Sequence, residues 1–200
     1  MNNLNVILPL LKFDDPDKFY FIQIYKRRKD NPDMKRDMEV LDNFYIYSEE
    51  QMLNRFPRIK QICDTNNARA YIRLNRRSDK KIALQSLARI ASMIASEQYN
   101  IRSTYDSIAG EYHAEEDKTW LIDIDFKDFE GNQAILVEIH YSIEELQRET
   151  GREPMMHIIP TKNGYHLITR PFNLKKIEPF RLGGYRFDIH KDNPTILYTA

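Results

Sequence analysis

Cysteine, net charge and long apolar runs are what this chain lacks. Its 200 residues hold one cysteine, Cys63, which excludes an intrachain disulfide and a cysteine-rich zinc centre and fits a reducing compartment. Lysine plus arginine number 30, as do aspartate plus glutamate. No overall field draws in a polyanion, so any nucleic-acid surface has to be a local patch. No apolar run approaches the ~20 residues of a membrane span. The amino-terminal stretch MNNLNVILPLLKFDD carries only a short apolar run, broken by Pro9, with no basic leader. The expectation is an untargeted, cytoplasmic protein without a membrane partner.

What is present is material for a mixed core: 42% hydrophobic residues, with twelve tyrosines and ten phenylalanines. The length suits one domain over residues 1–200, with an amino-terminal half over 1–100 and a second half over 119–200. Aromatic and β-branched alternation predicts strands at Lys18–Tyr25 and Phe44–Tyr47, with the basic run Lys26 to Lys29 in a loop after the first. Ser48 with Gln51 is a capping-box pair, so a helix is expected from there through Met52, Phe56, Ile59 and Cys63, bent or split by Pro57. A strand at Ala68–Leu74 is expected to end in the basic cluster Asn75-Arg76-Arg77-Ser78. From Asp79 to about Gln98 the positions Ile82, Leu84, Leu87, Ile90, Ala91 and Ile94 recur at helical spacing. Tyr99–Lys118 is polar and reads as a connection or small subdomain, with His113 on its surface. No internal repeat or low-complexity tract appears. The class is α+β, with a mixed or antiparallel sheet flanked by helices.

The stretch Thr119–Phe126, TWLIDIDF, places Trp120, Ile122, Ile124 and Phe126 on one strand face and Asp123, Asp125 and Lys127 on the other. Paired carboxylates repel, a cost that a divalent cation removes. The same pattern also describes a solvated strand face. A turn is expected at Phe129-Glu130-Gly131-Asn132, and Ala134–His140 is either a strand or a buried helix start. Ser142 and Glu145 repeat the capping pattern for a short helix over Ile143–Glu149, stopped by Gly151. Met156–Thr169 gives two β-rich arms around Lys162-Asn163-Gly164. An Asn-Gly pair there predicts a hairpin turn with positive φ, and leaves His166 on the face opposite Leu167. In the tail, Asp188 lies in a short apolar segment, and Thr195–Tyr198 makes a last strand.

Asp123-Ile124-Asp125, then Thr161-Lys162-Asn163-Gly164-Tyr165-His166, then Phe187-Asp188, taken in that order, resemble the three motifs of the archaeo-eukaryotic primase, or primase-polymerase, superfamily. The resemblance covers about Ile122 to Tyr198. It implies an RRM-like catalytic half in which Asp123, Asp125 and Asp188 hold Mg2+ or Mn2+. It further implies that Lys162, Asn163, Gly164 and His166 meet the phosphates of a nucleoside triphosphate. Arg73, Arg76 and Arg77 are then candidates for contacts to a single-stranded DNA or RNA template. The implied activity is joining nucleoside triphosphates to a 3′-hydroxyl, in the setting of a helicase or another replication protein, or of a phage or mobile element. Two other classes stay open. A metal-dependent nuclease would add Glu138 and His140, which share a face if Ala134–His140 is a strand. A non-catalytic nucleic-acid-binding module would use sheet tyrosines and basic loops.

Overall fold

The computed structural model describes residues 1–116, 118–125, 134–176, 181–182 and 185–200. The chain forms two compact units, one of residues 2–116 and 196–200, the other of residues 117–195 with Met1. The fold is α+β, with two four-stranded sheets among the described residues.

In the first unit the elements are α1 (Leu4–Ile7), β1 (Lys18–Arg27), β2 (Met38–Ile46), α2 (Glu49–Asn66), β3 (Arg69–Ser78), α3 (Asp79–Ala95) and α4 (Thr104–Glu111). β1 is antiparallel to both β2 and β3. Phe19, Phe21, Ile22 and Ile24 are all buried, so this strand is covered on both faces, which its near-continuous apolar and aromatic run requires. Phe19 and Phe21 pack with Ile82 of α3 and with Ile108 and Ala109 of α4. α2 buries Met52, Phe56, Ile59 and Cys63. Its start is the expected capping pair: Gln51 N donates to Ser48 Oγ at 3.1 Å, and Gln51 Oε1 accepts from Tyr47 N at 3.0 Å. Pro57 does not split the helix.

Several expectations are corrected here. β3 does not stop at Leu74 but runs through the basic cluster to Ser78. The polar stretch after Tyr99 contains α4, whose buried Thr104, Ile108 and Ala109 supply a narrow apolar side. Thr195–Thr199, read with residues 119–200, pairs instead with β3 in the sheet order β10-β3-β1-β2, where it is the tenth strand in the chain.

The second unit holds β4 (Trp120–Asp125), α5 (Ala134–Arg148), β5 (Met156–Pro160), β6 (Gly164–Thr169), the two-residue strands β7 (Arg181–Leu182) and β8 (Tyr185–Arg186), and β9 (Asp188–His190). Its main sheet has the order β5-β6-β4-β9, and each of its pairings is antiparallel. One face, with Trp120, Ile122, Ile124 and Leu167, packs against Ile139 and Ile143 of α5. Residues 134–140 are therefore helical, and α5 continues unbroken through Ser142, whose hydroxyl donates to Glu138 O at 2.9 Å instead of capping a new helix. The expected turn at residues 129–132, with Phe126 and Lys127, lies outside the described residues. No helix among the described residues is long and apolar enough to cross a membrane.

Candidate carboxylate and histidine site

β4 is the central strand of the site because it pairs on both sides. Asp123 stands opposite His166 on β6 and opposite Asp188 on β9. Residues directly opposite in an antiparallel pair project from the same face. His166 is in turn opposite Ile159, so one row across the four strands reads Asp188, Asp123, His166, Ile159. Asp125, two residues along β4, shares that face and lies opposite Gly164. His190, two beyond Asp188 and opposite Leu121, shares it too. The face is the one turned away from the α5 core, yet Leu121, Ile159 and Ile168 on it are buried. It is therefore not the uniformly solvated strand face that alternation alone describes.

The hairpin is formed by β5 and β6, and Thr161 N donates to Gly164 O at 2.9 Å to close it. Its glycine serves a different purpose from the expected one. Neither Asn163 nor Gly164 has a positive φ. Instead, a Cβ on Gly164 would collide with the Ile124 carbonyl oxygen and come within 3.0 Å of the Asp125 Cα. Glycine here lets β6 approach β4 closely beside Asp125. Lys162 and Asn163 are exposed at the tip.

The electrostatics of the row follow from burial and proximity. The Asp123 side chain is 46% exposed. Burial, then the nearby Asp125 and, more weakly, Asp188 raise its carboxyl above the ordinary carboxylate range, while His190 opposes the shift. The His166 side chain is 13% exposed, with Nε2 3.6 Å from Asp123 Oδ1 and Nδ1 sharing a 2.9 Å hydrogen bond with the Thr195 hydroxyl. Burial first, and then His190, push the His166 imidazole down to about 4. It is neutral at pH 7, so its approach to Asp123 is not an ion pair.

A depressed histidine titrates against the folded state. Between about pH 4 and 6.5 the unfolded chain binds the His166 proton and the folded chain does not. The stability present above pH 6.5 is thus lost as pH falls toward 4, by roughly 3 kcal/mol. The raised Asp123 has the opposite sign and offsets part of this loss at the acid end. Denaturant midpoints of the metal-free protein are expected to fall across this window, and the fall is expected to flatten in His166→Gln. An equal slope in both proteins would refute the assignment.

The three arginines proposed for template contact stand on β3. Arg77 is fully buried: its Nε donates to Ala109 O at 2.7 Å, and its terminal nitrogens donate to Asn75 O and Gly110 O. Arg76 is also buried, held by Glu115 and Asp14 at 2.5 Å each and by Lys12 O at 3.1 Å. Both are structural, not surface contacts, and only Arg73 is partly exposed. The nuclease constellation also loses its premise. On a helix Glu138 and His140 point about 200° apart, and His140 Nε2 instead approaches Glu144 Oε1 at 3.1 Å. His190 and Thr195 were not picked out from the sequence, although the alternation that singled out Asp188 also puts His190 on its face.

Carboxylate oxygens are donors suited to a hard divalent cation, and Asp123, Asp125 and Asp188 share one face. Among the described residues, however, no three His, Cys, Asp or Glu side chains converge as a formed metal cage. The carboxylates fit Mg2+ or Mn2+ in donor type. No known protein family, curated protein or solved structure matches this chain.

Proposed function

We propose that this protein is a metal-dependent nucleotidyltransferase of primase-polymerase type, acting through the Asp123, Asp125 and Asp188 face. The observation that supports this reading most is the cross-strand row. Three motifs far apart in the chain fall on adjacent strands, with Asp123 flanked by Asp188 on one side and His166 on the other.

In the reaction, the 3′-oxygen of a primer attacks the α-phosphorus of a nucleoside triphosphate, the bond to the β-phosphate oxygen breaks, and pyrophosphate leaves. Asp123, Asp125 and Asp188 are the residues that would hold Mg2+ or Mn2+, which supplies charge neutralisation and polarisation of the phosphate when bound. The 3′-hydroxyl proton leaves to solvent, which reaches this face at the 46% exposed Asp123 side chain. The chain's own groups do the rest. His166 stays neutral and offers a hydrogen bond to a phosphate oxygen without competing with the cation for the carboxylates. Lys162 at the exposed tip provides a mobile positive charge for the triphosphate, and the close packing at Gly164 keeps the hairpin against Asp125.

Isothermal titration of a nucleoside triphosphate, with Mn2+ present or absent, into wild type and Asp125→Ala tests the reading. The expected result is cation-dependent binding in wild type that weakens by at least about 100-fold in the variant, consistent with removing one of few charged ligands. Binding that is indifferent to both the cation and Asp125 would overturn it and leave the non-catalytic module.

A further inference from the structure

α3 carries a second apolar face that the fold leaves uncovered. Ile82 and Ser86 point into the unit and are buried. On the opposite side Leu84, Leu87 and Ile94 are 58%, 67% and 50% exposed, and Ala91 between them is exposed as well. The spacing 84, 87, 91, 94 is three, four, three, the a and d seam of a two-heptad coiled coil. Alanines fill the adjoining exposed positions. From Ile82 to Ala95 the one charged residue is Arg89, and its guanidinium pairs with Glu111 at 2.8 Å. An exposed apolar stripe on a helix that already has a buried face marks an interaction surface, so a partner is expected over it.

We infer that the partner is a second copy of this chain, packed through an antiparallel pair of α3 helices. Two features of the helix ends favour that occupant. Lys80 and Lys81 stand at the amino-terminal end, where Asp79 is engaged by the Tyr47 and Tyr105 hydroxyls and Lys81 Nζ donates to His113 O at 2.7 Å, so the exposed Lys80 carries the basic end. Glu97 lies just past the carboxy-terminal end, in the left-handed region at φ 58°. In an antiparallel pair centred between Leu87 and Ala91, Leu84 meets the partner's Ile94, Leu87 meets the partner's Ala91, and the basic end of each helix lies over the acidic end of the other. A parallel pair would stack lysine on lysine and glutamate on glutamate. The antiparallel arrangement also sets each helix dipole against its opposite. Because α3 is already held in its fold, a seam of two heptads does not have to fund helix formation, which limits isolated short coiled coils. The small flanking alanines let the two helices approach closely.

Sedimentation velocity of the full chain over a micromolar to sub-millimolar dilution series tests this inference. A dimer that dissociates on dilution is expected. Leu87→Glu places a charge in the seam while leaving an exposed position in the monomer, so the fold should be retained by circular dichroism and dimerisation weakened by about 100-fold or more. Lys80→Glu should weaken it by about 2- to 10-fold, and Lys80→Glu with Glu97→Lys should restore it. For orientation, the double variant Leu84→Cys, Ile94→Cys should oxidise to a covalent dimer while Leu84→Cys alone should not. The two positions lie about 15 Å apart along one helix, too far for a bridge within a copy. A wild type that stays monomeric throughout would overturn the inference. So would a Leu87→Glu protein that dimerises as wild type does, or Leu84→Cys cross-linking as fast as the double variant.

Discussion

Gly164→Ala is expected to destabilise the protein by about 3 kcal/mol or more, a loss beyond the usual range for adding one methyl group. The added carbon would meet the backbone of Ile124 and Asp125, not a side-chain tip that can swing away. Relief requires β4 and β6 to separate where Asp123 and Asp125 are displayed. For a chain of this size the expected fall in Tm is roughly 6–12 °C, and cation-dependent triphosphate binding should weaken with it. Asn163→Ala provides the contrast. With no positive φ to preserve at residue 163 and an exposed side chain, it should change stability by less than about 0.5 kcal/mol. Thermal unfolding of the two variants side by side decides whether close approach or turn conformation is the constraint. A large loss in Asn163→Ala with a small one in Gly164→Ala would sink this account.

Arg77→Met should cost about 3–5 kcal/mol, and Arg77→Lys most of that. The guanidinium is buried and donates to the carbonyls of Ala109 and Gly110 in the last turn of α4, and to Asn75 O on its own strand. Those helix carbonyls have no partner within α4, and a cation at a helix carboxy terminus is favoured by the dipole as well. Methionine fills much of the volume but leaves the acceptors without a donor. Lysine keeps the charge but lacks the planar fork that reaches several carbonyls at once. Chemical denaturation reads both variants. If Arg77 contacted a phosphate backbone instead, Arg77→Lys would retain full stability and alter only the salt dependence of nucleic-acid binding.

The two arginines show where the sequence was legible and where it was not. A run of basic residues next to a strand reads as a solvated loop because lysine and arginine are rarely buried. Burial of Arg77 depends on carbonyls from α4, and α4 itself was hidden in a polar stretch with few apolar positions. One missed element thus concealed the other. Local periodicity was enough for α3, for β4 and for both arms of the hairpin, where each segment carries its own pattern. It could not decide residues 134–140, where a short apolar run suits a strand or a helix equally, and the answer came from packing against the Ile122 and Leu167 face. The row of Asp188, Asp123 and His166 was legible as three motifs in order but not as a row. Register is a property of pairs, and a slip of one residue would put His166 among the core side chains.

The return of the chain to its first sheet also orders its biosynthesis. Asn3 N donates to Leu197 O, and the Asn3 side chain donates to Ile196 O, so the residues around Asn3 are tied to strand β10. As the chain leaves the ribosome, residues 2–116 emerge with β3 as an unpaired edge, and it stays open until residues 117–195 have been translated. The second unit can complete its own sheet first. The earlier-made unit finishes last, and the nascent chain spends that interval with a strand edge open to off-pathway pairing.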